Sequence, residues 1–258
     1  MSALHLHRWG PDGARAVLVL HGVTNTGARY RRLAEEALPE LRVLAPDLRG
    51  HAASTWDPPW NLERHVGDVL ETMDAAGVAR AVVVGHSFGG LIALHLAATA
   101  PERVERVVLL DPAGALPPGR AGVEAEVARR DEGWAGLDEA RAARLALRPA
   151  HARDSVEEDL ATFLEAGPDG RVRFRFSRPA AVTAWSEMAR PLPSLAGYPG
   201  PVLLVTALRA DYVTADLRAA LRRDLGDRLS ERGVDSGHML VWDAAQELAE
   251  IIRAEVAA

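Results

Sequence analysis

The stretch AVVVGHSFGGLIALHLAAT, Ala81–Thr99, decides the fold. Its first four residues are uniformly apolar and β-branched-rich, which reads as a short strand buried on both faces. Its last ten, Gly90–Thr99, are apolar at a length and composition that suit a helix. Between them Gly85-His86-Ser87-Phe88-Gly89 has the form Gly-x-Ser-x-Gly. A strand before this pentapeptide and a helix after it are the context in which it forms a sharp turn that exposes a serine hydroxyl. The glycines answer a steric need: strand and helix approach so closely at the turn that side chains there would collide. The helix start also places unpaired amide groups beside Ser87, where negative charge is favoured.

The same alternation extends outward in both directions. Ala16–Leu20 and Val43–Ala45 read as strands, with a helix predicted over Gly27–Leu38 and stopped by Pro39. A helix near Leu62–Ala76 precedes the central strand, and a strand Val107–Leu110 follows the central helix. After Pro201 come a strand Val202–Val205, a helix Ala215–Leu225, a strand near Arg228–Val234 and a closing helix Ala244–Val256. Strands alternating with helices imply a mostly parallel sheet flanked by helices, the α/β class. From Ala113 to about Leu195 the rhythm changes to Ala-, Glu- and Arg-rich helical segments. We therefore expect one core domain in two parts, residues 1–112 and 196–258, with a helical cap inserted at 113–195. Within it Arg171–Phe176 alternates with a period of two, its arginines on one side, and reads as a solvated edge, with an anion-binding arginine row as the alternative.

A serine hydroxyl needs a base to accept its proton. Of the nine histidines, His238 is the candidate, because it follows the last strand on a loop at the same carboxyl edge of the sheet as Ser87. His86 is read as packing against the sheet; His5, His7, His65, His95 and His151 are read as surface or core residues. A carboxylate must hold the imidazole and stabilise its charged form. Asp211, a short loop beyond Val202–Val205, is the preferred candidate, since the order Ser87, Asp211, His238 is the chain order this turn motif leads one to expect. Asp111, directly after Val107–Leu110, is its rival. A developing oxyanion needs two amide donors; Phe88 supplies one, and Val23, in the His21-Gly22-Val23-Thr24 loop after the first long strand, supplies the other.

On these residues, together with Pro46-Asp47-Leu48-Arg49-Gly50-His51, the chain resembles the α/β-hydrolase superfamily, in particular its esterase- and lipase-like members with a helical cap. The resemblance spans nearly the whole chain outside the cap. It implies the α/β-hydrolase fold and a cofactor-free serine hydrolase that works through an acyl-enzyme. Arg49-Gly50-His51 is mostly structural in such proteins. One departure is Ala52, where the pattern usually has a second glycine.

Composition narrows the alternatives. A net charge of −6 opposes nucleic acid as a partner. With no cysteine and no lysine, thiolate nucleophiles, Schiff bases and a Walker lysine are excluded. No run of about 18 apolar residues offers a membrane span, and Met1–Trp9 has no secretory pattern, so a cytoplasmic location is expected. No metal site is expected. Both monomer and homodimer remain open. The expected partner is a small-molecule substrate, a rather apolar ester or lactone. Trp56, Trp60, Trp134, Phe174, Trp185, Met188 and Met239 are candidate pocket residues. Carbon–carbon bond hydrolysis, amide or aminopeptidase activity and perhydrolysis could use the same residues. For a peptidase, Glu157, Glu158 or Asp159 could anchor an ammonium group. A small-ligand binding protein is the alternative outside enzymes.

Overall fold

The computed structural model describes residues 4–130, 133–146 and 153–258; His151 lies outside them. Seven strands form the main sheet, in the order β1-β3-β2-β4-β5-β8-β9. They are β1 (Leu6–Trp9), β2 (Ala16–Leu20), β3 (Arg42–Pro46), β4 (Ala81–His86), β5 (Val104–Leu110), β8 (Val202–Ala207) and β9 (Leu229–Val234). All neighbours run parallel except β1, which pairs antiparallel with β3. Because side chains alternate across a strand, each strand feeds two cores. Leu18, Leu20, Val83, Leu109 and Leu204 point to one face, whereas Val17, Val19, Val84, Val108 and Val205 point to the other.

Helices cover both faces. On the first lie α1 (Leu62–Ala75), α2 (Phe88–Thr99) and α7 (Ala215–Leu225); on the second lies α9 (Ala245–Ala257), after the single turn α8 (Leu240–Asp243). Helix α1 begins at Asn61, whose side chain accepts from the Arg64 amide. It buries Leu62, Val66, Val69 and Met73, a helical stripe against the sheet. Helix α2 is apolar all round and buried nearly all round, as befits a helix covered on every side. The helix expected over Gly27–Leu38 is present from Gly27 to Ala37 but irregularly wound, a 3-10 turn at Gly27–Tyr30 running into a π turn at Leu33–Ala37.

Between β5 and β8 the chain forms α3 (Pro118–Arg129), α4 (Leu137–Ala146), α5 (Arg153–Phe163), the hairpin β6 (Leu164–Ala166) and β7 (Val172–Phe174), and α6 (Arg178–Met188). The segment is thus not wholly helical. Its arginine row is not bare: Arg173 pairs with Asp169 and Arg175 with Glu165. The segment joins the core through backbone bonds from Ala52 to Arg175 and from Ser177 to Gly50, each 2.7 Å. Ala52 adopts φ +44°, the left-handed region that costs a side-chain-bearing residue roughly 1–2 kcal/mol. The neighbouring bonds hold it there in place of the glycine the pattern prefers.

Candidate active site

The sharp turn after β4 is present. Ser87 has φ 54° and ψ −120°, a strained conformation for a non-glycine residue. Its amide donates to the Leu110 carbonyl of β5, and its carbonyl accepts from Gly90 and Ala113. The strain is therefore carried by bonds to the neighbouring strand end and the helix. A Cβ on Gly89 would lie 2.2 Å from the Leu20 carbonyl oxygen, so only glycine lets α2 descend onto β2. Ser87 is 2% exposed and lines a cavity of about 490 Å³ that His238 also lines.

The carboxylate at His238 is Asp111, not Asp211. Asp111 Oδ2 lies 2.6 Å from His238 Nδ1, and Asp111 is fully buried. It is the first residue after β5 and takes φ 42°. Its amide donates to the Val205 carbonyl, and its Oδ1 accepts from the Ala207 amide at 3.1 Å. Both ends of the residue are thus fixed by the edge of β8, leaving Oδ2 for the imidazole. Since a carboxylate only accepts, His238 carries its proton on Nδ1, and Nε2 presents a lone pair. Asp211, by contrast, has an 83% exposed side chain and pairs with Arg120 of α3 at 2.7 Å. Four residues beyond the end of β8, it has left the sheet edge.

The loop carrying Val23 hangs from two buried imidazoles. His21 Nε2 accepts the Leu48 amide at 2.8 Å, so its Nδ1–H donates to the Gly22 carbonyl at 2.7 Å. His51 Nε2 accepts the Thr24 amide at 3.1 Å, and its Nδ1–H donates to the Arg49 carbonyl at 3.1 Å. These roles require neutral rings. Burial, and then the neighbouring His51, push His21 down to about 3; burial pushes His51 down to about 4. Asp47 binds the Thr26 hydroxyl and the Gly27 and Ala53 amides, which ties the next turn to the same loop. A Cβ on Gly22 would meet Ser87 Cβ at 3.0 Å and Oγ at 3.4 Å, so this glycine keeps the serine's surroundings open. Phe88 is the first residue of α2, and its amide has no acceptor within the helix.

Of the predicted pocket residues, Trp134, Phe174, Trp185 and Met239 line the cavity with Val23. The others do not. Trp56 is 39% exposed and borders a separate groove with Asp169 and Arg173. Trp60 packs by Gly50, and Met188, the last residue of α6, is fully buried in the core. The Phe88 side chain faces inward against His65, 5.2 Å between ring centres. Sequence reasoning missed Tyr212, whose ring centre lies 4.0 Å from that of His238; its place beside Asp211 was the available signal. His86 was read as sheet packing, yet its ring lines the cavity. The carboxylates considered as ammonium anchors are engaged elsewhere: Glu157 with Arg141, Glu158 with Arg31 and Asp159 with Arg29. Among the described residues, His5, His7 and Asp47 are the one cluster with metal-ligand types in proximity, but Asp47 is already committed to the Thr26–Gly27 turn. Among the described residues, no helix is long and apolar enough to cross a membrane.

Comparison with known proteins agrees with this architecture. A family model described as the alpha/beta hydrolase fold matches residues 15–245. The chain is 40% identical over 256 residues to Lipase LipV of Mycobacterium tuberculosis, covering 98% of this chain and 97% of that protein. It is 23% identical over 247 residues to Esterase YbfF of Escherichia coli, covering 92% of this chain and 90% of that one. Among solved structures, E-2-(acetamidomethylene)succinate hydrolase superposes with a TM-score of 0.84 over 99% of this chain and 95% of that one, at 20% identity, a likeness of fold alone. A matched model across most of its length, and a relative of the same extent at 40% identity, make this chain a member of the α/β-hydrolase fold family.

Proposed function

We propose that the protein is a serine hydrolase that cleaves a carboxylic ester or lactone of a small, rather apolar substrate through an acyl-enzyme. The observation that carries this reading is the buried Asp111 carboxylate 2.6 Å from His238, whose ring lines the same cavity as the strained Ser87. The names of the lipase and esterase relatives point the same way.

In the proposed reaction the Ser87 hydroxyl attacks the acyl carbon while His238 Nε2 takes its proton. Asp111 holds the ring in the tautomer that leaves Nε2 free and stabilises the imidazolium. The oxyanion is received by the Val23 and Phe88 amides, each such donor being worth roughly 2.7–4 kcal/mol of barrier. The imidazolium returns its proton to the leaving alcohol. A water molecule, deprotonated by the same histidine, then releases the acid. Trp134, Phe174, Trp185, Tyr212 and Met239 form the apolar wall against which the substrate packs. The segment between β5 and β8 supplies most of that wall and acts as the cap.

The test is turnover of a short-to-medium p-nitrophenyl ester series by wild type and Ser87→Ala, with fluorophosphonate labelling of both. We expect turnover and labelling to vanish together in the variant. Labelling without ester turnover would redirect the substrate class to amides or carbon–carbon bonds, and undiminished turnover in Ser87→Ala would sink the serine mechanism.

A further inference from the structure

His86, the residue between Gly85 and Ser87, ends β4 and is 4% exposed. Its Nε2 lies 2.7 Å from the main-chain carbonyl oxygen of His238, 152 residues away. A carbonyl only accepts, so Nε2 is the protonated nitrogen and Nδ1 holds a lone pair. That Nδ1 is buried and has no hydrogen-bond partner; it faces Gly22, whose absent Cβ would stand 3.2 Å from it. An orphaned buried acceptor costs roughly 1–3 kcal/mol. A phenylalanine or leucine would fill the same space without that cost. The imidazole is thus present at a net penalty on one side of its ring, and the one polar contact it makes on the other side is to the backbone of His238.

We propose that His86 is a positioning residue that sets the approach of His238 to Ser87 by donating its Nε2–H to the His238 carbonyl. The inference rests on the serine-hydrolase reading of the site. His238 is otherwise fixed through its side chain by Asp111, and its loop is fixed by the Gly237 amide bonding to Asp243 Oδ2 at 2.7 Å. The Asp111 bond and the Tyr212 ring packed 4.0 Å away act on the imidazole alone and leave the main chain of residue 238 to be held by other contacts. A second tether at the main chain, supplied from the residue next to the nucleophile, makes the distance between base and serine a property of the turn itself. Burial and then the neighbouring His238 hold His86 well below the usual imidazole range, so the ring keeps one proton, and the contact with the carbonyl places it on Nε2.

The experiment compares His86→Phe, which keeps an aromatic ring but removes the donor, with His86→Gln, whose amide can still donate to the carbonyl. Turnover of a p-nitrophenyl ester, fluorophosphonate labelling rate and melting temperature are read for both, alongside Ser87→Ala. A loosened base should lower kcat and the labelling rate of His86→Phe together by about ten-fold, with KM changed less than about two-fold, since small misplacements of reacting groups cost rate and not affinity. His86→Gln should recover most of the lost rate. Unchanged kcat in a folded His86→Phe overturns the proposal, as does an equal loss in His86→Gln, which would make ring volume and not the donor the relevant property. If His86→Phe does not fold, His86→Met carries the same expectation. Loss of labelling in Ser87→Ala establishes the underlying mechanism independently, so the His86 variants judge this inference alone; retained turnover there overturns both.

Discussion

Two adjacent strands of the sheet, β5 and β8, each run into an aspartate, and the two residues have opposite fates. Asp111 is fully buried, bent into a positive φ and bonded at three points. Asp211 stands in solvent with its carboxylate on Arg120. Residue type is the same, and both follow strands that end at the same edge of the sheet. What differs is distance from the strand end: Asp111 is the first residue beyond β5, close enough for the edge of β8 to grip it, whereas Asp211 is the fourth beyond β8. A carboxylate orients a histidine only if its own position is fixed, and burial among backbone donors is what fixes it.

The strongest way to break this comparison is to neutralise each aspartate in turn. In Asp111→Asn the carboxamide must keep its oxygen toward either the Ala207 amide or His238 Nδ1–H. If the oxygen stays on Ala207, the amide nitrogen donates to His238 and forces the proton onto Nε2, so the ring no longer accepts from Ser87. If the oxygen faces His238, two N–H groups collide at Ala207. On either arrangement kcat should fall on the order of 10³-fold or more, the scale seen when a triad aspartate elsewhere is replaced by asparagine. Asp211→Asn should change kcat by less than about three-fold, as a surface substitution. Steady-state kinetics on one ester decides it. Adding Arg120→Met to Asp111→Asn releases Asp211 from its partner, and activity should not return; recovery would show that Asp211 can reach His238 after all.

Acid should separate the buried side of the molecule from the exposed side next. His21 and His65 are pushed down to about 3 and His51 to about 4, in each case chiefly by burial, whereas an unfolded chain titrates them near ~6.5. The folded state therefore refuses protons that the unfolded state accepts. Their contribution is fully present above about pH 6.5 and is lost as pH falls toward the folded values, by up to about 1.4 kcal/mol per pH unit for each ring. Thermal melts between pH 7 and 5 should show a steep fall in stability. In His51→Gln, which can still accept the Thr24 amide, the slope should lessen by about one ring's share. An unchanged slope would mean that His51 is not held neutral in the fold.

The contrast between the two aspartates also marks where the sequence stops being legible. Ser87 and the strand–turn–helix around it follow from local constraints, the glycines and the apolar runs on either side, and the structure has them in place. His238 followed from chain order and sheet edge, and its loop does lie at Ser87's side. The choice of carboxylate depended on how far each loop travels after its strand, and no local pattern encodes that. Strand β1 carries His7 and Arg8 along an edge, so it lacked the apolar alternation that reveals an inner strand. The hairpin β6–β7 was obscured because Leu164–Ala166 has helix-forming residues, and only pairing with Val172–Phe174 makes it a strand. Tyr212 and His86 were missed as neighbours of His238 because both contacts link segments distant in sequence.

The smallest expected effect concerns the exposed turn by itself. Arg120 reaches from α3 to Asp211 and also lies over the Tyr212 ring, 4.5 Å from its centre, and Tyr212 in turn covers His238. The ion pair is largely solvated, so Arg120→Met should lower stability by less than about 1 kcal/mol at low ionic strength. In about 1 M salt, where charges are screened beyond about 3 Å, that difference should shrink toward zero. Because the methionine stem still covers the tyrosine, kcat should change less than about three-fold. The Asp111–His238 bond, whose carboxylate is fully buried, should show a weaker salt dependence. Melting curves and kinetics of Arg120→Met at both ionic strengths test the pair of claims. If kcat instead falls steeply and salt reproduces the loss in wild type, the exposed turn transmits the position of α3 to His238 through Tyr212. The division between the buried aspartate at His238 and the exposed one at Arg120 would then have to give way to a single coupled unit.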